Sequence, residues 1–172
     1  AVVATSRASA GIRGSGSAGA PDGVDGSADA YAEASNAGDQ AVVAFAQAFR
    51  GIASAHASST GGGDATARAW SSSASGPVVV RDLVSGSTAG LLLLEQRATA
   101  GTGDAVVELT AENTGGGDLR VDLIASGGAD VVPGEARLGR LDLRSQAGAA
   151  IDAHVALAGA IGRQGGASAP TG

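Results

Sequence analysis

The 172-residue chain contains no cysteine, no methionine and no lysine, so all 11 of its basic residues are arginine. Without cysteine it can form no disulfide, thiol nucleophile or zinc–thiolate site. One Trp, one Tyr and two Phe are too few to build base-stacking platforms, and a net charge of −6 opposes binding to a phosphate backbone. We therefore expect no nucleic-acid partner.

Large apolar residues are also scarce, since Leu, Ile, Val and Phe together number 34, against 29 Gly and 39 Ala. A stable fold then requires small side chains that pack closely. The longest strongly apolar run, residues 91–94, is far shorter than the ~20 residues that a membrane span needs. We expect no membrane span. Because the chain begins at Ala1 and not at Met, we also expect a processed form.

Composition divides the chain into three parts. Residues 1–26 mix Ala, Ser and Gly, which predicts a flexible lead-in, and residues 162–172 lack periodicity, which predicts a disordered tail. Residues 27–161 form a single repetitive domain in which glycine-containing turns recur every 12–13 residues. This spacing is typical of short strands and too short for a βαβ unit, so it predicts an all-β fold.

Alanine alternates with variable residues in the first half of the domain. The alternating positions are Ala28, Ala30, Ala32, Ala34, Ala44, Ala46, Ala48, Ala53, Ala55, Ala57, Ala65, Ala67 and Ala69. Successive side chains of a strand point to opposite faces, so the pattern predicts one face of methyl groups and one diverse polar face. The second half has the same period with larger inward residues, in residues 107–111, 119–125, 141–143 and 151–157.

Residues 39–51 fit two interpretations. Asp39 could cap a helix in which Val42, Phe45, Phe49 and Ile52 recur at helical spacing. A strand instead places Phe45 and Phe49 opposite the alanines and keeps the period of two. The strand is the favoured interpretation, and the helix stays open.

Several segments begin with a Gly-Asp turn that leads into an alternating strand. They are residues 38–42, 63–69, 103–109 and 117–123, and residues 93–101 accompany them. Together they resemble the degenerate Gly-Asp-Ala-Thr-Ala repeats of bacterial surface and secreted β-solenoid proteins, over roughly residues 27–161. The resemblance implies a β-solenoid (parallel β-helix) outside the cell, serving as adhesin, fibre or surface-layer material. The repeats here are few and irregular, which leaves an antiparallel β-sandwich or meander as the alternative.

No residue pattern predicts a catalytic, cofactor-binding or metal site. Asp64 and Asp118 follow glycine runs and could contribute to a calcium site, but Asp in such turns usually bonds its own backbone. The run Gly14–Gly19 lacks the strand and helix that a dinucleotide site requires. His56 and His154 have no partner at motif spacing, and Arg137, Arg140 and Arg144 lie among carboxylates, which favours ion pairs.

These observations favour an extracellular structural or adhesive protein without enzymatic activity. Its expected partners are copies of itself, in a filament or surface layer, and surface glycans. The alternative is a carbohydrate-active or ice- or glycan-binding module.

Overall fold

The computed structural model describes residues 1–10, 26–128, 134–146 and 148–159, and the backbone of residues 167–168. All regular structure in these residues is β. The strands are β1 (Val2–Ser9), β2 (Ala30–Asn36), β3 (Val42–Phe49), β4 (Ala53–Ser59), β5 (Ala65–Ser73), β6 (Val78–Arg81), β7 (Val84–Thr88), β8 (Leu92–Ala100), β9 (Ala105–Asn113), β10 (Leu119–Ser126), β11 (Ala136–Ser145), β12 (Ile151–Ala158) and β13 (Ala167–Ser168).

The strands form three parallel sheets. The largest has six strands in the order β1-β3-β5-β8-β10-β12, and the smaller two have the orders β13-β11-β9-β6 and β2-β4-β7. Every pairing in the described residues is parallel. Neighbours in the six-stranded sheet are separated in sequence by at least one strand of another sheet, which packs against it.

The prediction of a β-solenoid with turns every 12–13 residues is wrong, and so is the antiparallel alternative. Strands that follow each other in sequence lie in different sheets, so Val42 pairs with Ala65 and Leu92 with Leu119, well beyond one predicted repeat. The layer opposite the six-stranded sheet is split, because the four-stranded sheet begins at β6 and the three-stranded sheet ends at β7. No closed solenoid is found among the residues described.

The split occurs at Asp82, which has a φ of 49° and therefore cannot continue strand β6. Gln96, which is fully buried on β8, hydrogen-bonds backbone groups on both sides of Asp82. Its Oε1 accepts a hydrogen bond from the Leu83 amide at 2.9 Å, and its Nε2 donates to the carbonyls of Val80 and Glu108 at 3.3 and 2.9 Å. The side chain thus supplies an acceptor to the buried Leu83 amide at the point where the strand is interrupted, while the Asp82 amide keeps its bond to the Glu108 carbonyl.

The core is built as the alternating pattern predicts in β2–β5, β9 and β10, whereas the predicted inward residues in 141–143 and 151–157 are partly buried or exposed, and Ala28 lies before β2 and is partly exposed. The alanines of β2, β3, β4 and β5 at the alternating positions are at most 4 % exposed. In the second half, Val107, Leu109, Val121 and Leu123 are fully buried. Alanine side chains allow the facing layers to approach closely, and the small core is stabilised by that proximity.

The segment with two interpretations is a strand. Residues Val42–Phe49 form β3, with Val42 buried and Phe49 on the outer face. The helix alternative for residues 39–51 is therefore wrong, because sheet pairing on both sides satisfies the β3 backbone.

The boundaries of the described structure differ from the predicted ones. Residues Val2–Ser9 of the predicted lead-in form β1 and pair with β3. The rest of the lead-in from residue 11 to 25 lies outside the described residues, as does the predicted tail, except that Ala167–Ser168 form β13.

Glycine is required where the turns stack. A Cβ on Gly117 would lie 1.8 Å from the Gly90 carbonyl oxygen, and one on Gly63 would lie 2.5 Å from that of Asp39. Backbone atoms cannot yield as a flexible side chain can, so any larger residue would separate the stacked turns. The regular glycines noted in the sequence thus reflect the close approach of successive turns.

The first test concerns the alanine faces. Ala67 is fully buried in β5, whereas its neighbour Thr66 points outward. We expect Ala67→Leu to lower the free energy of unfolding by about 1–3 kcal/mol, since it overfills a closed layer. Thr66→Leu should change it by no more than about 0.5 kcal/mol. Thermal and urea unfolding of both variants measure this, and equal losses would contradict the inward assignment of Ala67.

The second test concerns the strand interruption. Gln96→Met keeps the side-chain size but removes the acceptor of the Leu83 amide and the donor to the Val80 and Glu108 carbonyls, of which Glu108 keeps its bond from the Asp82 amide. We expect a loss of about 1–3 kcal/mol or more in unfolding free energy. The matched control is Gln47→Met, on the outer face of β3, which should stay near the parent value. A neutral Gln96→Met would show that Gln96 does not stabilise the split.

Candidate functional site

The outer face of the six-stranded sheet carries three of the four aromatic residues of the chain. Phe45 and Phe49 lie on β3 and Trp70 on the adjacent strand β5. The Phe45 and Trp70 rings meet edge to face, with centroids 4.9 Å apart and an interplanar angle of 79°. Aromatic residues are scarce here and the core uses none of them, so their concentration on one outer face marks it as a candidate site.

Two arginines flank the aromatic pair. The guanidinium of Arg7 lies 6.0 Å from the Phe45 ring centroid, and that of Arg97 lies 5.8 Å from the Trp70 centroid. Both distances are within the range of cation–π attraction. Arg97 Nε also donates a hydrogen bond to Thr99 Oγ1 at 3.3 Å. These contacts hold long, flexible side chains in defined positions on an otherwise open face.

The charged neighbours of Trp70 are paired with each other. Arg68 Nε lies 3.1 Å from Glu95 Oε2, and Trp70 Nε1 donates a hydrogen bond to Glu95 Oε1 at 2.8 Å. Glu95 is thus occupied by two donors on β5. It makes no ion pair within 4.0 Å with Arg7 or Arg97.

A shallow groove crosses the strands at this place. It consists of two pockets of about 250 Å³ each that share Gln47. We call it the arginine groove, and its polar and aromatic lining is Arg7, Ser9, Gln47, Phe49, Trp70, Ser71, Ser72, Arg97 and Thr99. No Asp or Glu belongs to this lining, in a chain with 17 acidic residues and a net charge of −6.

Arg7 and Arg97 also differ from most arginines of the described residues in their ion pairing. Arg68, Arg81, Arg120, Arg137, Arg140 and Arg144 each have a carboxylate within 4.0 Å. Within the described ranges, no carboxylate lies at that distance from Arg7 or Arg97. The groove therefore presents two cationic groups that make no ion pair within 4.0 Å in the described residues.

The two edges of the six-stranded sheet form a second candidate site. Its strands start in register, so one inward row runs through Val2, Val42, Ala65, Leu92, Leu119 and Ile151. The four inner members are at most 1 % exposed, whereas Val2 is 38 % and Ile151 is 46 % exposed. A row that is apolar throughout is thus uncovered only at its two ends.

Neither edge strand carries a proline, an inward charge or a bulge, which are three of the features that prevent strands from pairing. The charged residues of these strands, Arg7 and Asp152, point to the outer face. The inward residues of β1 are Val2, Ala4, Ser6 and Ala8, and those of β12 are Ile151, Ala153, Val155 and Leu157. In the described residues, β1 pairs only with β3 and β12 only with β10.

The Gly-Asp turns act differently from the prediction. Asp64 Oδ1 accepts a hydrogen bond from the Leu91 amide at 3.0 Å, and Asp118 Oδ1 accepts one from the Ala150 amide at 2.9 Å. Each carboxylate therefore accepts a hydrogen bond from an amide of the neighbouring stacked turn and not from the backbone of its own turn. No group of three or more potential metal ligands is found in the described part of the chain.

The two histidines lie apart on different sheets. His56 Nδ1 lies 2.9 Å from Ser85 Oγ on the three-stranded sheet, and Glu33 is its register partner on β2. Glu33 accepts a hydrogen bond from the Tyr31 hydroxyl at 2.8 Å, so its carboxylate is engaged away from the His56–Ser85 pair. His154 is exposed on β12.

The arginines of β11 are ion-paired, as predicted. Arg137 contacts Glu135, and Arg140 and Arg144 lie 3.1 and 3.2 Å from Asp142. Hydrogen bonds from these two arginines hold the pKa of Asp142 below its ordinary value. The run Gly14–Gly19 lies outside the described residues.

No protein-family model, curated protein or solved structure matches this chain. The described residues include no helix long and apolar enough to span a membrane. A function is therefore inferred from the residues of the two sites described above.

The third test separates the structural role of the Gly-Asp turns from calcium binding. Asp118→Asn keeps an oxygen that can accept from Ala150, so we expect almost no change in melting temperature. Asp118→Ala removes the acceptor and should cost about 1 kcal/mol. Added EDTA should leave the melting temperature of the parent chain unchanged. A loss of stability on chelation, with Asp118→Asn as damaging as Asp118→Ala, would instead indicate a bound cation.

Proposed function

We propose that the chain is an extracellular structural or adhesive protein that assembles with copies of itself, end to end, through β12 of one copy and β1 of the next. The observation that carries this proposal is the inward row that is buried in four strands and exposed at Val2 and Ile151. Adding a copy in the same register would cover both ends of that row.

The direction of assembly follows from the parallel sheet. Its two edges are formed by different strands, so one copy cannot pair with another through the same edge in the same parallel sense. The contact is therefore heterologous, and such contacts build open filaments unless they close into a ring. Full burial of an exposed Val or Ile side chain contributes about 1.5–3 kcal/mol, and Val2 and Ile151, at 38 % and 46 % exposed, would each contribute roughly half of that or less.

The composition supports the same conclusion. The core consists largely of alanine, and the chain has no disulfide to stabilise it. A protein with so little large apolar surface gains stability when uncovered layers are stacked on copies of themselves. The extracellular location is part of this proposal and is supported by the resemblance of the Gly-Asp segments to bacterial surface repeats.

The fourth test uses the absence of cysteine. In the register of the sheet, Ser6 and Val155 belong to one row, which also contains Ala46, Ala69, Gln96 and Leu123. We expect the double variant Ser6→Cys, Val155→Cys to form a ladder of disulfide-linked oligomers under mild oxidation, because strands that pair lie about 4.8 Å apart. Within one copy the two positions lie on opposite edges and cannot be linked.

Three controls define the result. Each single variant should give at most a dimer, and Thr5→Cys with Val155→Cys should crosslink poorly, because Thr5 points to the other face of β1. A double variant that stays monomeric, together with an unchanged monomer mass by light scattering at high protein concentration, would overturn the proposal. A ladder equally strong for the Thr5→Cys pair would show association in another register.

A further inference from the structure

We propose that the arginine groove binds an acidic polysaccharide, with Arg7 and Arg97 contacting carboxylates on the sugar chain. This site is separate from the edges that carry the assembly proposal, since it lies on the outer face of the sheet. The inference rests on three observations: the charge of the groove, its lining and its direction across the strands.

The charge of the groove selects an anion. The lining contains arginines and no carboxylate, although acidic residues outnumber basic ones in the chain as a whole. The guanidinium group is planar and offers parallel donors that match both oxygens of a carboxylate. The rings of Phe45 and Trp70 hold Arg7 and Arg97 over the outer face, which reduces the side-chain freedom lost on binding.

The remaining polar lining suits a polyhydroxylated ligand. The Gln47 amide lies in the same register row as the two arginines, and Ser9, Ser72 and Thr99 lie in the next outward row along the strands. Amide and hydroxyl groups can both donate and accept hydrogen bonds. Sugar hydroxyls need partners of this mixed type. Thr99 Oγ1 accepts from Arg97 and Ser72 Oγ donates to the Ala48 carbonyl, so each hydroxyl keeps capacity for one further hydrogen bond of the other kind, which a small inorganic anion held by the arginines would not use in full.

The direction of the groove suits a polymer. Arg7 on β1 and Arg97 on β8 are separated by β3 and β5, so the groove runs perpendicular to four neighbouring strands. Three strand intervals of about 4.8 Å place the two strands roughly 14 Å apart. The interval between strands is close to the length of one hexopyranose unit, so an extended sugar chain can meet equivalent positions on successive strands.

Nucleic acid fits the same surface less well. The Trp70 ring has Phe45 at one side and the Arg97 guanidinium over its face, so the stacking surface that a base would need is already in use. The net charge of −6 also repels a densely charged phosphate backbone more strongly than a polymer with one carboxylate per sugar.

The fifth test measures binding by isothermal titration calorimetry. The ligand is polygalacturonate, and the comparison polymers are neutral dextran and double-stranded DNA of similar length. The protein is kept at concentrations where light scattering shows a monomer, so that assembly does not contribute. We expect binding to polygalacturonate that weakens with added salt, no binding to dextran and much weaker binding to DNA.

The variants are matched in charge. Arg7→Gln with Arg97→Gln should weaken polygalacturonate binding by about tenfold or more, because two charged contacts are lost. Arg81→Gln with Arg144→Gln removes the same charge from sites outside the groove and should stay within about twofold. Circular dichroism and melting curves establish that all four substitutions leave the fold intact.

Three outcomes would overturn the inference. The first is the absence of any binding to polygalacturonate by the folded parent protein. The second is an equal loss of affinity in the two double variants, which would mean attraction by overall charge. The third is DNA binding as strong as polygalacturonate binding, which would identify a general polyanion surface.

Discussion

The close approach of facing layers across alanine side chains is the constraint on which the rest of this structure depends. Ala44 and Ala67 are fully buried, and their neighbours along the strand point to the opposite face. A second close approach occurs at the turns, where Gly117 lies too near the Gly90 carbonyl to carry a side chain. Small residues inside follow from the distance between facing layers, and glycine at the corners follows from the distance between stacked turns.

A core of this kind leaves chemical variety to the outside. The buried core of the described residues contains no charged and no aromatic side chain, so side chains of these two kinds lie on an outer face, at an edge or in a turn. The outer face of the six-stranded sheet illustrates the result, because Phe45, Trp70 and Arg97 lie on three adjacent strands and contact one another in sequence. Stability and recognition thus use opposite faces of the same strands, so either can change with little effect on the other.

The sequence predicts the strands and their inward faces, since period two is read directly from residues 30–34 or 65–69. It does not predict which strands pair, because alternation is a local signal and pairing is not. The interruption at Asp82 depends on a left-handed backbone and on the distant side chain of Gln96, which no local pattern connects. The arginine groove was missed for the same reason: its residues come from four strands brought together only by pairing.

The strands of the six-stranded sheet begin in register, and this has a consequence for how such a protein can change in length. Leu92 pairs with Ala65 and with Leu119, and all three are the first residues of their strands. Unequal recombination that duplicates or deletes the segment between two such first residues would join strands that still begin at the same level. A chain changed in this way would keep the common register of its remaining strands in the six-stranded sheet, except that removal of residues 65–91 would also take away Val80 and Leu83, the partners of the buried Gln96.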